Sequence, residues 1–382
     1  MLDKIKEIDK RFLYAVGALI GFVVLLIVIF LVMKLFSGPG KNYAKVEDKL
    51  KSAAKAYLED NPSKAPGVSE NITLESSTLV AEGHMKELTE YLDDTCSSAS
   101  VLVMNNGGQY LYLPTLICSG YSTQHLSQKI IDEQLVANSE NPYEAGLYEV
   151  DGEFIFKGKN VNNYVTFGGL TWRIIKIDEN GNLRLIKNSS ERSKKQWDSK
   201  YNVELKKSYG INDYENSLLA ETLTESYNGV NEKNKVHIIP HEVCVGKRSK
   251  EDATISYDVD CAEKLSGQYM SVVNTLDFPM ASLDENCTQV GHGACTNYNY
   301  LNRVISSSWT TIGNADNTYE VFNISGGYSN VLPAKNNLNY SWIIYISGKE
   351  PYKSGTGTVE DPYVIGRCRR SESVHPPLRG RV

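Results

Sequence analysis

The residues best suited to covalent chemistry in this 382-residue chain fall in one short stretch, SLDENCTQVGHGACTNYNYLN at 282–302. It holds Cys287 and Cys295, with His292 between them. A cysteine attacks as its thiolate, so it needs an adjacent base or positive field and partial exposure. Cys295 as nucleophile with His292 as base has the right residue types for that. The same two cysteines can instead close a small loop, for which Asn286, Gly291 and Gly293 are suitable turn residues. Such a strap would contribute roughly 2–3 kcal/mol in the chain-entropy model. Nearness along the chain is poor grounds for catalysis, because catalytic pairs are assembled by the fold. The strap is therefore the preferred expectation and the chain is read as non-enzymatic. A cysteine-dependent enzyme using Cys295 and His292 is the alternative.

Other constellations are thinner. His237 and His241 stand four apart, but Pro240 interrupts any helix that would align them, and no Glu occupies the zincin position. The DENGN segment at 178–182 lacks the spaced carboxylates of a calcium loop and is expected to be a plain turn. No metal and no cofactor are expected. Trp172, Trp197, Trp309 and Trp342 sit in apolar contexts that suit a core. Trp309, Tyr328 and Tyr340 are nonetheless the candidate ligand-binding residues, provided that they line one open groove. A formal net charge of −6 gives no support to a nucleic-acid partner, which would call for a basic stripe.

These residues must be positioned by elements that the pattern also suggests. The uncharged run FLYAVGALIGFVVLLIVIFLVM at 12–33 rises roughly 33 Å as a helix, enough to cross a hydrocarbon core of about 30 Å. It is longer than a signal-peptide core and no small-residue cleavage pattern follows, so it is expected to be an uncleaved anchor. Basic residues flank it equally: Lys4, Lys6, Lys10 and Arg11 before, Lys34, Lys41, Lys45 and Lys49 after. The cysteines break that tie, because Cys96 with Cys118, Cys244 with Cys261, and Cys287 with Cys295 form sequence-local couples suited to an oxidising exterior. The N-terminus is thus expected in the cytoplasm and the bulk of the chain outside.

Beyond the SGPG break, Val46, Leu50, Ala53, Ala54 and Tyr57 recur at helical spacing, and Pro62 should end that helix. A shorter helix is expected near SSTLVAEGHMKEL, capped by Ser76 or Ser77 and ended by Gly83. ASVLVMNNGGQYLYLPTLIC has two β-prone runs around Asn-Asn-Gly-Gly, a hairpin signature with Cys96 and Cys118 at its ends. HLSQKIIDEQLV has a helical middle. From 144 onward the chain turns to short strands and turns, with a helix at SLLAETLTESYNGV and core strands or strand-to-turn segments at VNTLDFPMASL and YSWIIYI.

The order of helix, AAKAYLEDNPSKAP, ITLESSTLVAEGHMKEL, cysteine, hairpin and YLPTLIC resembles the pilin-like and pseudopilin-like proteins of Gram-positive bacteria over residues 12–120. That resemblance implies a membrane helix running into an amphipathic helix and a small sheet. The leader and junction that a prepilin peptidase cuts are not found, so the shape is carried over and polymerisation is not. Residues 143–365 resemble a domain of unknown function in surface proteins of low-GC Gram-positive bacteria, through YVTFGGLTWRIIKID, Trp197-Asp198, Trp309-Thr310 and SGTGTVEDPYVI. The resemblance implies a C-type-lectin-like fold. Calcium-dependent sugar binding does not follow, since the amide and carboxylate triplets of such sites are missing. GHGAC superficially resembles the L,D-transpeptidases, but Ala294 precedes the cysteine and Thr-Asn-Tyr directly follows it where an arginine is needed close by.

Together these give an α+β protein: a cytoplasmic 1–11, a transmembrane anchor at 12–36, a pilin-like helix-plus-hairpin module at 37–120, a connector at 121–143, a hairpin-rich α+β surface domain at 144–365, and an Arg/Pro-rich disordered tail at 366–382. The expected function is a single-pass cell-surface protein presenting a disulfide-stabilised binding domain. Its partners would be membrane lipid through 12–36 and a glycan or protein at the cell surface. A non-cleaved pilin-like subunit of an envelope secretion or pilus machine is a further alternative.

Overall fold

A computed structural model describes residues 42–68, 70–106, 108–136, 140–189 and 194–365. The expected cytoplasmic segment, the anchor at 12–36 and the tail at 366–382 lie outside the described residues. Among the described residues no helix is long and apolar enough to cross a membrane. The protein mixes helix and sheet, as the α+β expectation requires. Its described residues divide into two compact units: 42–61 with 74–101 and 114–122, and 62–73 and 102–113 with those from 123 to 365.

In the first unit, helix α1 (Tyr43–Asp60) buries Val46, Leu50, Ala53, Ala54, Tyr57 and Leu58, the stripe that the spacing implies. Asn42 caps it by accepting from the Lys45 N–H at 3.1 Å. Helix α2 (Ser76–Ala81) starts one residue earlier than a serine cap would allow. Glu75 occupies the cap position in extended geometry as the last residue of strand β1 (Asn71–Glu75), and no side chain caps the helix. Strands β2 (Cys96–Asn106) and β3 (Gln109–Cys118) form the expected hairpin, and with β4 (Tyr121–Ser122) they make a sheet of order β1-β2-β3-β4. A disulfide joins Cys96 to Cys118. Beside it the Asp94 carboxylate accepts from the Tyr43 hydroxyl at 2.6 Å, from the Ser119 hydroxyl, and from the N–H groups of Thr95 at 2.8 Å and Gly120 at 3.1 Å.

From residue 123 onward the second unit begins with helix α3 (Leu126–Gln134), whose Leu126 and Ile130 belong to the main core. The expected connector is thus folded into this unit for much of its length. Then come β5 (Gly146–Val150), β6 (Glu153–Lys157), β7 (Tyr164–Phe167), β8 (Leu170–Ile177) and β9 (Leu183–Lys187). Between β8 and β9, Asp178 accepts from the N–H of Asn180 at 3.0 Å and of Asn182 at 2.8 Å, and Gly181 takes φ +78°, so DENGN is a turn. Short pieces β10 (Lys195–Gln196), β11 (Tyr201–Asn202) and β12 (Lys207–Ser208) precede helix α4 (Leu218–Asn228), capped by Ser217. The rest comprises β13 (Ile238–Ile239), β14 (His241–Cys244), β15 (Lys247–Arg248), β16 (Lys264–Gln268), β17 (Ser307–Asn314), β18 (Glu320–Ser325), β19 (Tyr328–Pro333), β20 (Asn337–Leu338), β21 (Ile343–Ile346) and β22 (Tyr363–Val364).

The large sheet has the order β13-β21-β9-β8-β6-β5, with β7 pairing to β8 and β22. A second sheet, β15-β17-β18-β19, packs its apolar side chains, Trp309 and Ile324 among them, into the same core. VNTLDFPMASL, expected as a core strand or a strand-to-turn segment, is an irregular buried segment with one helical turn, Asp277–Met280. Proline is tolerated in a first helical turn and not in a central strand, so Pro279 favours this outcome.

Candidate functional site

The large sheet carries one transverse row of cross-strand partners: Ile155 opposite Lys176, Lys176 opposite Arg184, Arg184 opposite Tyr345, and Tyr345 opposite Ile239. A β-bulge between Ile174 and Lys176 sets this row. With an uninterrupted period of two, Ile174 and Lys176 would share a face; the extra residue puts them on opposite faces. On the row's face lies a cleft of about 850 Å³, with an inner recess of about 60 Å³ that reaches Arg184 and Asp277.

Two buried charges floor the recess. Arg184 and Asp277 form a two-armed ion pair, with Nη2 to Oδ2 at 2.9 Å, and Asp277 also accepts from the Asn274 N–H at 2.7 Å. Burial opposes the guanidinium charge, but the Asp277 carboxylate more than offsets it and holds Arg184 above its ordinary range. His241 stacks on Tyr345 with ring centroids 4.4 Å apart, and its Nε2 lies 3.3 Å from the Ser271 hydroxyl. Its Nδ1 is shielded from solvent. Burial and the Arg184 charge pull the His241 pKa down to about 3, so the ring is neutral at physiological pH. Burial raises the phenol of Tyr345 above its ordinary range, so it stays protonated.

The walls are acidic. Asp151, Glu153, Asp178, Glu179, Glu242 and Asp258 face the cleft with Lys176 and Lys264. Lys176 binds Glu153 at 2.6 Å and Lys264 binds Glu242 at 3.2 Å, leaving the other four carboxylates in excess. Cys244 and Cys261, joined by a disulfide, form part of the wall. Directly behind Cys261 the fully buried pair Arg248 and Asp260 fixes that segment, with Nη2 to Oδ1 at 2.7 Å.

The sequence-derived candidates are placed elsewhere. Cys295 is buried and bonded to Cys287, so its sulfur is no thiolate and the Cys295/His292 nucleophile does not form. His292 is exposed at the surface. Trp309 and Tyr340 are buried, at 0% and 3% exposure, while Tyr328 is 50% exposed, so these three do not line one open groove. The indole of Trp309 donates to the Lys195 carbonyl inside the core. His237 pairs with Glu350 and does not join His241. Among the described residues no three His, Cys, Asp or Glu side chains converge as a metal site would require.

Sequence reasoning missed the row of Lys176, Arg184 and Tyr345. The available signal was charge inside two strongly apolar strands, RIIKI and LRLIK, because a charge in a buried strand must find a partner. Comparison with protein families, curated proteins and solved structures finds no match.

Proposed function

We propose that the chain is a single-pass, membrane-anchored cell-surface binding protein, with residues 12–36 in the bilayer and the acidic cleft of the second unit as the ligand site. The observation that carries it is the cleft itself. It is large enough for a small ligand or a peptide segment, its floor is locked by a buried ion pair, and four of its carboxylates have no lysine partner among the described residues. Such walls favour a positively charged ligand, above all the basic segment of a protein partner. Three disulfides among the described residues support an oxidising exterior. The pilin-like and lectin-like resemblances agree with a stalk presenting a domain, and the bonded Cys295 argues against the cysteine-enzyme alternative.

Calorimetric titration of the full chain with pentalysine and pentaglutamate tests the ligand class. Pentalysine is expected to bind, to weaken with added salt, and to lose affinity several-fold in a Glu179→Gln/Asp258→Asn variant. Equal or tighter binding of pentaglutamate would overturn the assignment. Protease added to intact cells should digest the region from 42 to 365; full protection of that region would place it on the wrong side of the membrane.

A further inference from the structure

The opposite face of the same strands carries a second cavity of about 330 Å³ whose two sides differ in chemistry. One side is apolar, built from Phe167, Trp172, Met270, Trp342 and Ile344 and continuous with the main core. Trp342 contributes ring surface only, since its Nε1 is shut off from solvent. The other side, from the end of helix α4 and the stretch just after it, is polar and neutral: Ser226, Asn231 and Asn234. Among the described residues no charged side chain lines the cavity. The Ser226 hydroxyl already donates to the Thr222 carbonyl at 2.8 Å, and Asn231 Oδ1 accepts from the Lys233 N–H at 2.9 Å. Asn234 is different: it is half-buried, and its side-chain amide has no hydrogen-bond partner among the described residues. It comes close to the β7–β8 turn because that turn is Gly168-Gly169, both at positive φ; a Cβ on Gly168 would sit 3.2 Å from Asn234 Nδ2.

We propose that this cavity binds a small uncharged phenol, with the ring among the apolar side chains and the hydroxyl on the Asn234 amide. The volume lies at the small end of the range for small-molecule sites and fits a ring with a short substituent. Walls without charge exclude ions by their desolvation cost. A sugar fits poorly for a related reason, because the hydroxyls around its rim would mostly face the apolar side and lose water without replacement. A hydrocarbon fills the space but leaves the amide unused. A single hydroxyl, which both donates and accepts, matches an amide whose donors and acceptor are all unused. This site is independent of the acidic cleft, because Ile344 and Tyr345 are adjacent on β21 and point to opposite faces.

The test uses the full chain in lipid nanodiscs, labelled with ¹⁵N in the asparagine side chains and ¹³C in the methionine methyls, and two probes of nearly equal size, p-cresol and toluene. Empty nanodiscs correct for partition into lipid. Expected is roughly fivefold tighter binding of p-cresol than of toluene, the gain of one neutral hydrogen bond, with shifts of both the Asn234 amide and the Met270 methyl resonances. Toluene should shift the Met270 methyl alone. In an Asn234→Leu variant, which keeps the bulk and removes the amide, toluene should become the tighter ligand, because the hydroxyl then loses its water for nothing. The proposal is overturned if p-cresol leaves the Asn234 amide unmoved, or binds wild-type protein no tighter than toluene. Both of those readouts stand on the wild-type chain alone, so they hold even where the variant does not fold.

Discussion

The two faces of the large sheet in the second unit are built from alternate residues of the same strands, yet their chemistry is opposite. On one face Lys176, Arg184, Tyr345 and Ile239 line an acidic cleft; on the other Trp172, Trp342, Ile344 and Ile238 line an apolar cavity. The cleft face is held by paired charges and a disulfide, whereas the cavity face is held by shape and apolar burial. A strand of apolar character can therefore line two sites, provided that a bulge decides which side each polar residue takes. In β8 that bulge brings Lys176 to the row with Arg184 and leaves Trp172 and Ile174 on the other side.

The contrast should first appear as unequal sensitivity to single substitutions. Arg184→Met leaves the Asp277 carboxylate buried without its partner and is expected to lower unfolding stability by about 3–5 kcal/mol. Adding Asp277→Asn should restore much of that loss. On the cavity face Ile344→Val should cost only about 0.5–1.5 kcal/mol. Urea unfolding of the three variants checks the difference, and equal losses from Arg184→Met and Ile344→Val would erase the proposed division between the faces.

The disulfides give the next largest effect. Removing the Cys244–Cys261 bridge, which spans a sequence separation of 17, should cost about 3 kcal/mol in the chain-entropy model and should also weaken pentalysine binding. Removing Cys287–Cys295, with a separation of 8, should cost about 2.5 kcal/mol and leave both sites in place. Neither change should alter p-cresol binding, since no cysteine lines the apolar cavity. Paired serine variants, followed by thermal unfolding and titration with both probes, separate these outcomes.

Much of this architecture is legible in the residues. The stripe from Val46 to Tyr57 gives α1 because its spacing is helical, and Asn-Asn-Gly-Gly gives the β2–β3 hairpin because positive φ costs little there. The three cysteine couples are legible because each closes a short loop. The sites are not. Trp309 and Tyr340 carry the same aromatic chemistry as Trp342, and what separates them is how the surrounding elements cover each ring, which no local pattern encodes. Lys176 shows the same limit: a strict period of two puts it with Trp172, and only the bulge, a tertiary feature, moves it. HLSQKIIDEQLV is helical by pattern, yet its role as part of the core depends on Leu126 and Ile130 meeting residues far along the chain.

A finer comparison comes from pH. An unfolded imidazole titrates near 6.5, whereas His241 in the fold titrates near 3. Between those values the unfolded chain binds a proton that the folded chain does not, so the His241 contribution is fully present above about pH 6.5 and declines as pH falls towards 3. The slope is at most about 1.4 kcal/mol per pH unit. Replacing His241→Phe should flatten the difference in stability between pH 7 and 5 by that mechanism. Trp342→Phe, whose ring lies against the Lys187 ammonium and not against His241, should leave that slope as it is. Denaturant titrations at both pH values check this, and a slope unchanged by His241→Phe would mean that the imidazole is not held neutral.

The smallest expected effect sits on the rim of the cleft, where Lys176 and Glu153 meet at 2.6 Å with side chains 14% and 24% exposed. The pair is too wet to match Arg184 and Asp277, because solvent screens its attraction and ordering two long side chains offsets part of the gain. Glu153→Gln should therefore cost about 0.2–1 kcal/mol, fading in high salt, and should not disturb the register of β6 on β8. The substitution also removes one negative charge from the cleft and releases Lys176, so pentalysine affinity should drop slightly while p-cresol affinity stays constant. A loss as large as that of Arg184→Met would instead make the rim pair part of the floor, and the distinction between a locked base and a solvated wall would have to be abandoned.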